Sequence, residues 1–230
     1  MAYKNPLFTV DSTLFTVHDN TLKVLLVQRA EVPFLGLWAL PGGFVDVDQD
    51  ANTDATAHRK LRDKTGFTPQ YLEQLQVISG AQRDPRGYSV TLAYYALVAH
   101  QNVSPKIASV ALAQWIAVQD LPQYTLAFDH AHIIALAQAR LQQKTLYSMI
   151  PAFCLPERFT IAQLQQVIET IIEKPIQRKS LMRRIEASEM FEAHEEKAAS
   201  GGRFAQLYSI KAGADLVNFE RNLMAKDPQA

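Results

Sequence analysis

Residues 40–67 read LPGGFVDVDQDANTDATAHRKLRDKTGF, a glycine loop followed by an acidic turn, a helix and a terminating Thr65-Gly66. The helix is expected to begin near Ala51 and to end where Gly66 adopts the left-handed conformation that most residues avoid. Gly42 and Gly43 carry no Cβ atom, so the backbone at these positions can approach a ligand closely. The stretch therefore predicts a ligand-binding loop held against a helix.

This loop–helix–loop order resembles the Nudix box, which implies a diphosphate against the loop and magnesium held by glutamates of the helix. The family pattern Arg-Glu-apolar-x-Glu-Glu-x-Gly is matched here by residues 59–66, RKLRDKTG. Lysine replaces glutamate at positions 60 and 64, and an ammonium repels magnesium and donates where a ligand must accept. We therefore expect no catalytic residue and no metal site. Lys60, Arg62 and Lys64 are instead expected to neutralise phosphate directly.

Composition fits a globular protein of one large or two ordinary domains, with 230 residues of which 48% are hydrophobic. The single cysteine, Cys154, excludes an internal disulfide. The sequence shows no secretion signal, and no apolar run reaches the ~18–20 residues that a membrane span needs. A cytoplasmic protein without membrane contact is expected. The formal net charge is zero, so nucleic-acid binding must depend on local clusters of charge.

The first part of the chain alternates strand and helix patterns, which places it in the α/β class. Residues 8–17 and 23–29 are predicted to form a β-hairpin around His18-Asp19-Asn20. Further strands are predicted at 71–79, 89–100 and 113–118, the second of them central in the sheet, and an amphipathic helix at 128–147. With the Nudix resemblance, this order implies a Nudix-like α/β/α sandwich over residues 1–149.

The segment QRDPRG, residues 82–87, is predicted to be a loop that recognises phosphate. Asp84-Pro85 favours a turn, and Arg83 and Arg86 each offer a guanidinium fork for bidentate contact. The alternative is a hairpin loop with solvated arginines. Trp38 and Tyr88 offer stacking faces for a base, although a tryptophan beside a glycine loop also serves simply in packing. The candidate ligand residues are Arg29, Trp38, Gly42, Gly43, Lys60, Arg83, Asp84, Arg86 and Tyr88.

Residues 150–230 are predicted to form a second module of the winged helix-turn-helix type. A helix at 159–173, capped by Thr160, precedes a second helix at 176–187 after the short turn at Lys174-Pro175. Strands at 190–193 and 203–211 are expected to enclose a glycine-containing tip at 198–202. A last helix is expected to carry Leu216, Phe219 and Leu223.

Basic residues cluster on the second helix of this module without an intervening acidic residue. Residues 176–180 lie where a recognition helix presents side chains to base edges in the major groove. The alternative is an ordinary solvated helix face, and the acidic Glu192, Glu195 and Glu196 would not approach phosphate. The candidate DNA-binding residues are Lys174, Gln177, Arg178, Lys179, Ser180, Arg183, Arg184 and Arg203.

The whole chain resembles the Nudix-related transcriptional regulators of NAD metabolism. The matching segments are LPGGFVDVD (40–48), RKLRDKTGF (59–67), QRDPRGY (82–88) and GGRFAQLYSI (201–210). The resemblance implies a homodimeric repressor of NAD-biosynthesis genes that binds double-stranded operator DNA and is released by ADP-ribose, with no required cofactor. One alternative is a Nudix hydrolase that cleaves ADP-ribose to AMP and ribose 5-phosphate. Another is a nucleotide-binding module whose helical domain recruits protein.

Overall fold

The structure, a computed structural model, describes residues 5–200 and 203–219, without the side chains at 199, 200 and 203. The chain divides into two compact units, Met1–Arg140 and Leu141–Ala230. None of the described helices is long and apolar enough to cross a membrane.

A mixed sheet forms the first unit, and Leu7–His18 (β1) and Thr21–Arg29 (β2) form the predicted hairpin within it. The turn residues Asp19 and Asn20 both have positive φ, at 51° and 55°, which short polar side chains tolerate. The other strands are Trp38–Ala39 (β3), Gly42–Phe44 (β4), Tyr71–Gly80 (β5), Ser89–Leu97 (β6) and Val110–Ala117 (β7). The sheet order is β3-β2-β1-β6-β5, with β4 paired to β1, β7 paired to β2, and β1 and β6 parallel.

The predicted helix of residues 40–67 is Thr53–Thr65 (α1). It begins two residues later than expected because Asn52 caps it, accepting a hydrogen bond from the Ala55 amide at 2.8 Å. Gly66 ends the helix in the left-handed conformation, as predicted, with φ of 80°. Ala57 and Leu61 are fully buried in clusters with residues of β1 and β6, so this helix packs on the sheet.

Strand β6 pairs with β1 on one side and β5 on the other, which confirms its predicted central position. A short 3₁₀ helix, Val118–Gln123, follows β7 and precedes a longer helix, His130–Thr145 (α2). That helix was predicted from residue 128, but Phe128 has φ of 55° and lies outside it. The α/β class, a mixed sheet with helices, is thus confirmed for this unit.

A helix pair and a three-stranded sheet form the second unit, which confirms the winged helix arrangement. Thr160 and Gln163 make a reciprocal capping box at the start of the first helix of the pair, Ile161–Ile172. The inward faces of both helices share one core with Met149, Phe159 and Met190. The elements are a 3₁₀ helix, Ile150–Cys154, then Phe159–Thr160 (β8), Ile161–Ile172 (α3), Arg178–Ser188 (α4), Phe191–Ser200 (β9) and Arg203–Ile210 (β10).

Strand β9 is longer than the four residues predicted, because it continues in antiparallel register with β10 through Ser200. Ala198–Ser200 therefore belong to the strand, and Gly201 and Gly202 lie outside the described residues. The last helix was wrongly predicted for Leu216 and Phe219. Residues 211–219 are not helical, and the Phe219 amide donates to the Tyr147 carbonyl at 2.6 Å. Leu223 lies outside the described residues.

Candidate functional site

A cavity of about 280 Å³ opens in the first unit between the glycine loop, α1 and the loop at residues 83–86. Strands β1 and β2 and the start of α2 complete its wall. Seven of the nine predicted ligand residues line it, and the exceptions are Trp38 and Tyr88. The predicted residues that it brings together are Arg29, Gly42, Gly43, Lys60, Arg83, Asp84 and Arg86.

Gly42 and Gly43 contribute to the cavity for different reasons. A Cβ at position 42 would lie 2.3 Å from Asp11 Oδ1 and 2.4 Å from the Val10 carbonyl oxygen, so no side chain fits there. Gly43 has φ of +147°, a conformation that L side chains rarely adopt. A Cβ there would also lie 3.3 Å from Lys60 Cε. The glycines thus bring β4 against β1 and leave room for the Lys60 side chain.

Arg83 and Arg86 have different environments although they belong to one loop. The Arg83 side chain is 8% exposed, donates twice to Asp129 at 2.8 and 2.9 Å, and also reaches Ser89 Oγ at 3.0 Å. Arg86 is 39% exposed and forms a bidentate pair with Asp84 at 2.7 and 2.9 Å. Its guanidinium lies 5.0 Å from the centroid of the Phe44 ring. Arg83 therefore stabilises the wall, whereas Arg86 is accessible from the cavity.

Asp84 is buried beneath Arg86. Burial raises the pKa of this carboxyl group, but the hydrogen bonds from Arg86 outweigh that effect, and the pKa is lowered overall. The Arg86 backbone amide also donates to Asp84 Oδ1 at 2.9 Å. Asp84 therefore remains an anion that orients Arg86.

Three further cations line the cavity without a carboxylate within ion-pair distance among the described residues. Arg29 donates to the backbone carbonyl of Pro33 at 2.7 Å, and burial, followed by the charge of Arg86, lowers its pKa. Burial and the Arg59 charge lower the pKa of Lys60. Burial lowers the pKa of Lys64 to about 8. The cavity is therefore positively charged where α1 faces the glycine loop, whereas Arg62 is 60% exposed and does not line it.

Several lining residues were not predicted, and Asp11 and His130 are the most informative of them. The Leu40 amide donates to His130 Nδ1 at 2.9 Å, so the ring proton lies on Nε2, 3.7 Å from Asp11 Oδ1. Burial lowers the pKa of His130, which favours this neutral form. Asp11 also accepts from Thr91 Oγ1 at 2.8 Å. These groups join the glycine loop to β1, β6 and α2, and no local motif in the sequence marks them.

The acidic turn before α1 is used in local structure. Asp50 accepts two hydrogen bonds from Arg59, at 2.6 and 2.7 Å, and these bonds lower its pKa. Asp46 accepts from the Asp48 amide and from Gln49 Nε2. Over residues 5–200 and 203–219, no cluster of three or more His, Cys, Asp or Glu residues has a metal-binding arrangement. The donor set on α1, Lys60, Asp63 and Lys64, does not fit magnesium because two of its members are cations.

The two predicted stacking residues lie outside the cavity lining. The Trp38 ring packs edge-on against Tyr124, with centroids 6.0 Å apart. Tyr88 is 54% exposed, and its carbonyl accepts from the Leu7 amide. Trp38 is thus placed in packing, whereas Tyr88 is largely exposed.

In the second unit, α4 presents an exposed basic face. Leu181 and Ile185 are buried in the core, which turns the opposite side of the helix to solvent. The Gln177 side chain does not cap the helix. Six of the predicted DNA-binding residues are exposed on this helix or just before it: Lys174, Gln177, Arg178, Lys179, Ser180 and Arg183.

Arg184 departs from this pattern. It donates to the Leu146 carbonyl at 2.6 Å, and its guanidinium lies 5.3 Å from the centroid of the Phe219 ring. Burial lowers its pKa. Arg184 is thus placed in the packing of the second unit. Arg203 begins β10, and its side chain lies outside the described part of the chain.

Strands β9 and β10 form the wing, and two of the three acidic residues noted on β9 bond to side chains of other segments. Ser209 Oγ donates to Glu192 at 2.8 Å, and Arg158 pairs with Glu196. Glu195 is exposed. Strand β9 therefore uses two of its three glutamates to join neighbouring segments.

Comparisons with known proteins match each of the two units to a known domain family. The NUDIX domain family matches residues 8–137, and the NrtR DNA-binding winged helix domain matches residues 151–210. The ADPR responsive transcriptional repressor NtrR of Acinetobacter baylyi is 40% identical over 221 residues, which cover 96% of this chain and 88% of the repressor.

Two crystal structures of NrtR from Shewanella oneidensis are also similar. The complex with a 27mer DNA is 47% identical, with a TM-score of 0.85, and the match covers 95% of this chain and 100% of that chain. The NUDIX domain complexed with ADP ribose is 50% identical, with a TM-score of 0.59, over 60% of this chain and 90% of that domain.

Proposed function

The chain belongs to the Nudix family and carries an NrtR-type winged helix domain, and from this premise we propose that it is an ADP-ribose-responsive transcriptional repressor of NAD-biosynthesis genes. One observation carries the proposal. A positively charged cavity of the Nudix unit and an exposed basic recognition helix occur in the same chain. The first suits a small diphosphate, and the second suits the DNA backbone and base edges.

We propose that ADP-ribose binds in the cavity with its diphosphate between the glycine loop and α1. Arg29, Lys60 and Arg86 contact the ligand, and Gly42 and Gly43 let it approach the backbone. Arg83 and Asp84 hold the wall in place through their ion pairs. Tyr88 and Trp38 are the candidate partners of the adenine ring, and Tyr88 is favoured by its exposed face.

We propose that α4 enters the major groove of double-stranded operator DNA. Arg178, Lys179 and Arg183 contact DNA from its exposed face, while Lys174, Gln177 and Ser180 act where the helix begins. Arg203 at the base of the wing is a further phosphate contact, and Arg184 supports the fold. A homodimer would present two such helices to paired half-sites.

We propose that this cytoplasmic protein binds ADP-ribose without cleaving it. Catalysis in the family requires a metal held by carboxylates, and lysines occupy two of those positions in this chain. No metal or other cofactor is required in this proposal. The domain boundary is proposed at residues 149–150, so that the winged helix domain spans 150–230.

ADP-ribose regulates DNA binding only if it binds the DNA-competent and DNA-incompetent states with different affinity. Specific DNA binding is ~4–10 kcal/mol more favourable than non-specific binding. The coupling free energy between ADP-ribose and DNA has to cancel only part of this difference. We therefore expect ADP-ribose to weaken operator binding without abolishing non-specific binding.

The test is fluorescence anisotropy of a labelled duplex from an NAD-biosynthesis promoter, with and without ADP-ribose at fixed salt. Tight binding that ADP-ribose releases is the expected result. A folded protein that binds no DNA under either condition would contradict the repressor function. Release of AMP from ADP-ribose in magnesium or manganese would contradict the absence of catalysis and favour a hydrolase.

A further inference from the structure

We propose that the ammonium groups of Lys60 and Lys64 take the place of the divalent cation of Nudix enzymes, so that this cavity holds a diphosphate without metal. The inference rests on the proposed function, because it takes ADP-ribose as the diphosphate ligand. It concerns the chemistry of recognition, which the resemblance to NrtR does not specify.

Both lysines are placed by α1. Residues four apart lie on the same helix face, and both Lys60 and Lys64 line the cavity. Lys60 Nζ is 3.4 Å from the position that a Cβ would take at Gly43. A phosphate that approaches the backbone at residues 42–43 therefore meets the Lys60 ammonium group.

Among the described residues no carboxylate lies within ion-pair distance of either lysine side chain, although the more distant Asp11 and Glu31 attract Lys64. Asp84 pairs with Arg86, and Asp129 pairs with Arg83. Asp63 lines the cavity but lies 3.5 Å from Arg62 and 3.9 Å from Arg59. Within residues 5–200 and 203–219, neither the Lys60 nor the Lys64 side chain forms a hydrogen bond or an ion pair.

Two partly buried cations on one helix face are unfavourable unless an anion lies between them. Burial removes water from each ammonium group, Arg59 repels Lys60, and Lys60 repels Lys64, and these effects lower the pKa of both groups. A diphosphate bridging them would relieve both penalties with charge-assisted hydrogen bonds. On α1, a magnesium ion at the same place would face one carboxylate, Asp63, and two ammonium groups. The site therefore favours the bare anion over its magnesium complex.

Isothermal titration calorimetry of the full chain tests this directly. ADP-ribose and inorganic pyrophosphate are titrated in EDTA and in magnesium, into the wild type and into the Lys60→Met and Lys64→Met variants. We expect equal wild-type affinity in both buffers and a loss on the order of tenfold for each variant. Arg62→Met is the matched control, because it removes a positive charge from α1 outside the cavity, and it should bind like the wild type.

A charge reversal gives the opposite signature. The Lys60→Glu/Lys64→Glu double variant places two carboxylates beside Asp63, so we expect it to lose binding in EDTA and to regain it in magnesium. Its thermal melting curve and its operator binding check that it folds. The single methionine variants keep the test decisive if the double variant does not fold.

Wild-type binding that requires magnesium, or methionine variants that bind like the wild type, would overturn the inference. Pyrophosphate that binds in EDTA through Lys60 while ADP-ribose does not bind would sustain the inference and overturn the proposed effector. A folded wild type that binds neither anion would overturn both.

Discussion

The cavity beside α1 and the exposed face of α4 use the same side chains, lysine and arginine, at different depths. In the cavity, charges are partly buried, each arginine has a fixed hydrogen-bond partner, and two lysines have lowered pKa values. On α4, Arg178, Lys179 and Arg183 extend into solvent. The burial of the charged side chains thus distinguishes the cavity, which suits one small anion of defined shape, from the exposed face of α4, which suits a long polyanion.

Salt should produce the largest difference between the two regions. A repressor that neutralises several phosphates loses roughly 10³-fold or more in DNA affinity between 50 and 200 mM salt, through counter-ion release. In the proposed site ADP-ribose contacts shielded charges of the cavity, so its affinity should fall less than about tenfold over the same range. Anisotropy and calorimetry at matched salt measure both slopes. If the two affinities fell equally with salt, the charges in the cavity would be no better shielded than those on α4. If DNA affinity hardly changed with salt, a protein partner for α4 would be favoured.

Arg83→Ala should destabilise the first unit by roughly 3 kcal/mol, because it leaves Asp129 and Asp11 without their cation. Arg86→Ala is the comparison within the same loop. It should cost only about 1 kcal/mol of stability, since Asp84 keeps a hydrogen bond from the backbone amide of residue 86.

The Arg86→Ala variant should weaken ADP-ribose binding on the order of tenfold while operator binding remains. Urea unfolding and calorimetry separate the two effects. If Arg86→Ala left the ligand titration unchanged, the loop would have no role in recognition.

Arg183→Ala should weaken operator binding by about 1–3 kcal/mol and leave ADP-ribose binding intact, and Arg178→Ala should behave in the same way. Arg184→Ala is the neighbouring control on α4. It should lower the melting temperature of the chain, because the bond to Leu146 and the contact with Phe219 are lost. For both variants, fluorescence anisotropy measures operator binding and thermal melting measures stability. Equal losses of DNA binding at unchanged stability would show that Arg184 also contacts DNA.

The pH dependence of ADP-ribose binding should be the smallest of these effects. Lys64 has a pKa of about 8 and faces Asp11 of β1, Arg29 of β2, Glu31 and Lys60. Its ammonium group loses its proton as pH rises through 8, so the affinity should fall about tenfold between pH 7 and pH 9. Lys64→Met should remove this step in a calorimetric pH series. If the affinity of the Lys64→Met variant fell equally between pH 7 and pH 9, another titrating group would be responsible.

Local signals in the sequence were sufficient for most of the fold. The limits of α1 follow from a capping residue and a terminal glycine, and β6 follows from its continuous apolar run. Errors arose where long-range contacts decide the structure. Strand β9 extends past its acidic residues because β10 pairs with it. Residues 211–219 are held by a bond to Tyr147 and are not helical.

The candidate site was predicted unevenly for the same reason. Glycines and lysines in a motif locate one wall of the cavity from local sequence. Arg83 was expected to project to a ligand, but its partner Asp129 is 46 residues away. Asp11 and His130 likewise come together only when the sheet forms, and neither belongs to a recognisable motif. Such pairs can be found only in three dimensions.

The close approach of Gly42 to β1 also limits how this gene can change. Every single-base substitution that replaces the encoded glycine either stops translation or introduces a residue with a Cβ atom. At position 42 that atom would lie 2.3 Å from Asp11 Oδ1 and 2.4 Å from the Val10 carbonyl oxygen. Random mutagenesis of the whole chain, selected for ADP-ribose response, should therefore recover no substitution at codon 42. Codon 80 should tolerate small residues, because nothing lies within 4 Å of a Cβ at Gly80.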